Sequence, residues 1–383
     1  MTVQPQIPNP QTDVTLFHRA ARGELIAVRP FVRLQWTRSF VASGTFRLET
    51  TVDHGAEIQC GDSLDIELAG RRDFTGIVQH RTLVDRADAP PLVTIEGLDL
   101  TWWLHQRVIV PPPTVSHDEQ IDVPAESAIH HYIRDHLLSP TDRLRTIPQP
   151  ATLDPLHDPP LGPNLSVRAS YINLARQVQR LATQAGLGLE ASRDDDGLMH
   201  FAVRTPSDHG AASAQPVRFT SQDGLVARLA YVESAVRTRN AVYVLGAGDA
   251  ENRLVELVTD DTDIALRHRR ELALDARDAD VSAAAIDAGR AELARQALER
   301  VRVELDPLPI GAPAYRDDWD LGHIVAVEIP DLGLTLDQRI ESVRLSLDAE
   351  DPLRIECSLG ASAPDAAATL QRIDERTAPG RFA

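Results

Sequence analysis

No lysine occurs in this chain: all 39 basic residues are arginine, against 57 acidic ones, and the net charge is −18. So acidic a chain repels nucleic-acid backbones, which excludes gripping DNA or RNA as its main role. Cysteine is nearly absent. Cys60 and Cys357 lie far apart in unrelated contexts. They read as two buried free thiols, not as a disulfide framework, and no metal-ligand spacing accompanies them. Aromatic residues make up only 4% of the chain, too few for the sugar platforms that normally surround paired glycosidase carboxylates. No apolar run approaches the roughly 20 residues of a membrane helix, so no membrane-spanning segment is expected. Met1 to Asp13 is polar and proline-rich, without the basic and apolar parts of a signal peptide. Nucleophile elbows of the Gly-x-Ser-x-Gly type are missing too.

What the chain does have is alternation. Phe31 to Trp36, Gly44 to Thr50, Ser63 to Leu68, Phe74 to Gln79 and Leu92 to Leu98 alternate apolar and polar residues between Gly, Asp or Pro breaks. That is the pattern of a β-sandwich or barrel. Trp102-Trp103-Leu104 opens a short helix or turn, and Pro111-Pro112-Pro113 ends the region. Residues 124–138 read as a helix and 139–165 as a proline-rich loop. A second helix runs from about Ser170 to Gln184 with Leu174, Val178 and Leu181 on one face and Gly186 as its cap. A hairpin follows, turning at Asp194-Asp195-Asp196-Gly197, and then a polar linker at 204–216. Strands resume at Val217 to Phe219, Gly224 to Ser234 and Asn240 to Gly246. They return at Val301 to Leu305, Ile324 to Ile329, Gln338 to Leu347 and Leu353 to Leu359. Between them a helix near 280–298 has Ala284, Ile286, Leu293, Ala294 and Leu298 as its expected buried positions.

Several clusters carry potential chemistry, and each has a plainer reading. His130, His131 and His136 share a helix, but spacings of one, five and six place no pair on a common α-helical face for a metal. The acidic turn at Asp194 to Gly197 lacks the alternating ligands and distal Glu of a calcium loop. Asp260-Asp261-Thr262-Asp263 and Asp317-Asp318-Trp319-Asp320 could supply a hydrolase's paired carboxylates, yet lack aromatic company. Gly246-Ala247-Gly248 reads as a tight turn, not a phosphate loop. The chain is therefore read as no enzyme, with no catalytic, cofactor-binding or metal-ligating residue and no cofactor.

Taken in order, the segments resemble the tail-hub (baseplate-hub) family of long-tailed bacteriophages, over about residues 14 to 360. The resemblance rests on Gly44-Thr45-Phe46-Arg47-Leu48 with Phe74-Thr75-Gly76-Ile77-Val78, and on Glu96 to Leu100 with Leu104 and Arg107 to Pro112. It continues through Ser170 to Leu174 with Gly186-Leu187-Gly188, Asn240 to Gly246 as a second-barrel strand, and Glu271 to Asp278. The last piece is Asp317-Asp318-Trp319-Asp320-Leu321-Gly322 with Val325, where His323 replaces the family's usual acidic residue.

The resemblance implies an α+β, mainly β fold: two tube-type β-barrel domains, an intervening α/β segment and a helical insert in the second barrel. The expected divisions are an N-terminal arm at 1–13, a first barrel at 14–110, an α/β peripheral domain at 111–215, a second barrel at 216–360 and a C-terminal tail at 361–383. It further implies a structural virion protein at the tail tip, a homotrimer whose six β modules match a distal tail protein or tail-tube hexamer. The tape measure protein and tail fibre or tip proteins are the other implied partners. DNA passes through the channel without specific binding, and some carboxylates of the β domains are expected to face it and repel phosphate. The alternatives are a receptor- or carbohydrate-binding tail protein and, less favoured, a cell-wall hydrolase.

Overall fold

The computed structural model describes residues 14–360 apart from 87–88, 235–237, 249, 278, 299–300, 310–312 and 349–351. The expected arm at 1–13 and tail at 361–383 lie outside the described residues. All five alternating stretches of the first region contribute to strands: Arg33–Ser39, Thr45–Thr51, Ser63–Leu68, and the long hairpin Arg71–Arg86 with Ala89–Asp99. Alternation works because successive side chains leave a strand on opposite faces. Leu34, Trp36, Phe46, Leu48 and Ile95 are sealed on one face, and their neighbours in sequence face outward. Gly97 is required where the hairpin is tightest, since a Cβ there would sit 1.9 Å from the Ile77 carbonyl oxygen.

The two β regions are not separate. Leu334–Asp348 pairs antiparallel with Arg33–Ser39, in register from Ser342 opposite Ser39 to Asp348 opposite Arg33. One fourteen-stranded sheet results, joining strands of 14–110 to strands of 216–360. One buried core serves both, including Leu34, Trp36, Leu48 and Ile66 from the first and Val303, Leu305, Val343, Leu345 and Cys357 from the second. The expectation of two distinct modules is corrected to this extent: each offers an unpaired edge, and inside the chain those edges satisfy one another. The thiols are also corrected, because Cys357 is buried but Cys60 is exposed.

The middle region has its own core, with Ile129, Tyr132, Leu137, Leu174, Val178, Leu181 and Phe201 among its buried residues. Helix Leu174–Ala185 ends at Gly186, at φ 70°, as the sequence predicts, but it starts four residues later than the expected Ser170, where the Asn173 side chain caps it. The proline-rich loop is more ordered than expected. Ala151–Leu153 pairs parallel with Met199–Arg204, and Asn164–Ala169 pairs with Asp118–Pro124. The expected linker likewise contains Ser207–His209, which pairs parallel with His323–Ile329. Strands of three residues carry no readable period, so only their partners define them.

The insert is larger than one helix. Ala241–Leu245, Val255–Thr259 and Glu271–Asp275 form a small sheet of their own with helix Ser282–Leu298 packed on it. Residues 240–246 therefore do not join the second-barrel sheet as expected. The helix buries Ala285 and Gly289, while Ala284 and Ala294 are exposed; Ile286 and Leu293 are partly buried, and the Leu298 side chain lies outside the described ones. An alanine-rich helix has almost no amphipathic signal, and the face is chosen by fit. A Cβ on Gly289 would meet Val258 at 2.5 Å. Among the described residues no helix is long and apolar enough to cross a membrane.

Candidate functional site

The clusters singled out in the sequence separate on folding. Helix Ala125–Ile133 continues into a π-helical turn, Arg134–Leu138. A π turn brings i and i+5 together, so His131 and His136 do share a face, contrary to the α-helical expectation. Their Nε2 atoms lie 2.7 and 2.8 Å from the two oxygens of Asp118. Burial opposes charge on Asp118, but the two imidazoles outweigh it and hold the carboxyl well below its ordinary value. This clamp ties the helix to strand Asp118–Pro124. Among the described residues no group of three or more His, Cys, Asp or Glu is arranged to hold a metal.

Asp194 accepts from the Leu198 amide at 2.8 Å within its hairpin turn. Asp260 caps helix Asp261–Arg267 through the Asp263 amide. Gly246 and Gly248 form a turn against 252–254.

The Asp317 to Gly322 stretch has a larger role. Trp319 is buried against Phe219 and Tyr315, which aims Asp320 and Arg316 at the first β region. Asp320 lies 2.6 Å from both Arg38 and Arg316. Asp73 accepts from Trp36 Nε1 at 2.7 Å and from the Tyr315 hydroxyl at 3.1 Å, and lies 3.2 Å from Arg316. Nearby, fully buried Asp65 is 2.6 Å from Arg19 and 3.5 Å from Arg193, which reaches in from the middle region. Arg193 also donates to Ser63 and to Gln149. A cleft of about 330 Å³ opens where the three regions meet, bordered by Arg38, Arg72, Asp73, Asp99, Arg193 and Asp320. Only the motif around Trp319 was visible in the sequence. Arg38, Asp65, Asp73 and Arg193 sit in ordinary strand positions, and nothing local marks them. His323, the departure from the family pattern, stacks on His209 at 4.5 Å between ring centres, and burial lowers its pKa.

Burial pushes the Asp99 carboxyl up to about 6, against hydrogen bonds from Thr101 and the Gly44 amide that favour its charge. A folded value above the unfolded one costs stability once both forms are ionised. The cost is absent below the unfolded value, grows as pH rises towards 6 and is constant above it. Asp99→Asn should remove this dependence. Relative to wild type, the variant should gain up to about 3 kcal/mol between pH 4 and 7, less whatever solvent in the cleft screens. Urea unfolding at several pH values measures it, and a constant difference would mean that Asp99 stays charged throughout.

The outer face of the shared sheet is polar across both regions. Arg33 lies 3.1 Å from Glu49 and 2.7 Å from Asp348. Arg47 is 3.0 Å from both Glu49 and Glu96. Arg344 pairs with Glu356, Arg228 with Glu304 and Asp306, and Arg302 with Glu304. Arginines and carboxylates thus answer one another across the strands. The carboxylates named on these strands are thus ion-paired. Among the described residues the main run of the sheet ends at two strands, Leu25–Val28, paired with Val14–Arg19 alone, and Val226–Glu233, paired with Val301–Pro307 alone; the short strands Ser207–His209 and Arg218–Thr220 pair only with the side branch His323–Ile329. Leu25, Ile26 and Val28 are 54%, 50% and 59% exposed.

Comparison with known proteins gives a consistent result. The family model described as Siphovirus ReqiPepy6 Gp37-like protein matches residues 21–361. The fold is that of the tail protein from Neisseria meningitidis MC58, at a TM-score of 0.61 and 16% identity, covering 90% of this chain and 96% of that one. It is equally that of the 43 kDa tail protein of prophage MuSo2 from Shewanella oneidensis, at 0.62 and 17%, covering 92% and 98%. Prophage tail protein gp18 from Listeria monocytogenes EGD-e aligns at 0.57 and 10%, covering 94% and 98%. No curated protein matches the sequence.

Proposed function

Because this chain belongs to the Siphovirus ReqiPepy6 Gp37-like protein family, we propose that it is a structural protein of a phage tail, forming a trimeric hub ring at the tail tip. One observation carries the reading. The chain already makes, once and internally, the edge-to-edge contact that a ring needs: Leu334–Asp348 against Arg33–Ser39. The same kind of contact between the outer edges of successive copies is head-to-tail and closes if the rotation allows. Two β regions per chain and three chains then present six units to a sixfold tail tube or distal tail ring.

In this reading the polar face of the sheet lines the channel. Its carboxylates are engaged by arginine, so the wall neither repels DNA strongly nor offers phosphates free cations. Ion-pairing replaces the acidic repulsion suggested by the net charge, which is a property of the whole surface and not of this face. The middle region then lies outside the ring, free to meet tape measure, fibre or other tip proteins. Cryo-electron microscopy of the particle carrying this chain should show three copies at the tail tip around an open channel. Six copies, or a location along the tube, would reject the hub assignment.

A further inference from the structure

Most surface arginines near the shared sheet face carboxylates; two neighbouring arginines on the middle region do not. Arg107 and Arg145 stand beside each other with their guanidinium groups on backbone carbonyls: Arg107 Nε donates to the Arg145 oxygen at 2.9 Å, and Arg145 Nη2 to the Val108 oxygen at 2.6 Å. Among the described residues neither has a carboxylate within salt-bridge distance. The nearest acidic residue in sequence, Asp142, turns its carboxylate to the Leu144 amide at 3.0 Å. Burial and then the charge of Arg145 both lower the pKa of Arg107. In a chain of net charge −18, two adjacent cations left without carboxylates are a local inversion of sign.

Apolar side chains accompany them. Leu144 is 94% exposed at the tip of the turn Arg143–Arg145, and Val108 is 43% exposed. Both border a shallow groove of about 340 Å³ with Arg107 and Arg145. Val108 bridges Asn173, and close by in the chain Val110 and Tyr171 are exposed while Ile109 is buried. Tyr171 is 71% exposed and held at φ 50°, a conformation that costs a bulky residue energy. Exposed apolar and aromatic groups rimmed by arginine have the composition of a protein-recognition surface.

We propose that this groove binds an acidic polypeptide segment of another protein, a carboxylate lying between Arg107 and Arg145 and an apolar side chain on Val108 and Leu144. Charge complementarity selects the partner, since bound carboxylates supply what the two guanidinium groups lack. This assignment does not depend on the hub reading, and its test uses the purified full-length chain.

The probe is a fluorescein-labelled peptide of alternating Asp, Leu and Glu, followed by anisotropy at low and moderate salt. It should bind saturably and more weakly as salt rises. Versions with Gln for the acids or Ser for Leu should each bind at least about tenfold more weakly. Arg107→Glu with Arg145→Glu should abolish binding, whereas Arg277→Glu with Arg290→Glu, the same charge change on the insert, should not. Leu144→Ser, at a position too exposed to affect folding, should weaken binding severalfold. Absence of binding, equal binding of the Gln peptide, or indifference to the Arg107 and Arg145 replacements would overturn the proposal. Tighter binding of a short single-stranded oligonucleotide would overturn it in favour of a phosphate site. Concentration-dependent self-association lost in the same double variant would overturn it in favour of a second copy.

Discussion

If the proposed ring assembles through the outer strand edges, Ile26→Lys combined with Val28→Lys should yield a folded chain that does not assemble into rings. Among the described residues the strand Leu25–Val28 closes one end of the sheet and pairs on one side only. Its apolar side chains are half exposed or more, so the isolated chain loses little when they change, within about 0.5 kcal/mol. A ring contact made through that edge loses much more. It must bury two ammonium groups, and edge lysines are a device by which natural sheets prevent edge pairing. The expected weakening of association is at least about a hundredfold, near 3 kcal/mol. Light scattering on the purified chain or counting of copies in particles reads assembly, and a melting curve reads the fold. Rings of normal mass from the double variant would put the contact between copies elsewhere.

The second large effect belongs to Asp65. Its carboxylate is fully buried among Arg19, Arg72 and Arg193, with Thr75 donating at 2.9 Å. Removing one partner of a buried ionic group leaves the others charged without compensation, which typically costs 3–5 kcal/mol. Asp65→Ala should therefore lower unfolding free energy by about that amount. Replacing Arg193 as well, Asp65→Leu with Arg193→Met, should recover only part of the loss, since the fully buried guanidinium is gone but Arg19 and Arg72 still lack their carboxylate. Because Arg193 comes from the middle region, the single variant should also expose the hairpin Gly188–Arg193 and Met199–Arg204 to protease before the sheet. A loss below about 1 kcal/mol would mean that water already solvates the cluster.

Legibility varied with the kind of signal. Leu34, Trp36, Phe46 and Leu48 announce their strands because burial of one sheet face imposes period two on the sequence. Leu174, Val178, Leu181 and Gly186 announce a helix and its end in the same way. Helix Ser282–Leu298 shows where this fails: its alanines are equivalent in sequence, and only contact with Val244 and Val258 selects Ala285 and Gly289 as its buried side. On α-helical geometry the histidines at 131 and 136 share no face. A single π turn, invisible to periodicity, put both on Asp118.

Local order was written in the chain itself, because alternation, caps and turn residues act between neighbours and leave a periodic trace. The ordered motifs sufficed to suggest a phage tail protein. Folding alone decided that strands some three hundred residues apart share one sheet, that Asp65 and Asp73 sit among arginines from three regions, and that the polar face is ion-paired despite the acidic composition. Those outcomes depend on which surfaces meet in space, and pairing across such distances leaves no regular spacing along the sequence.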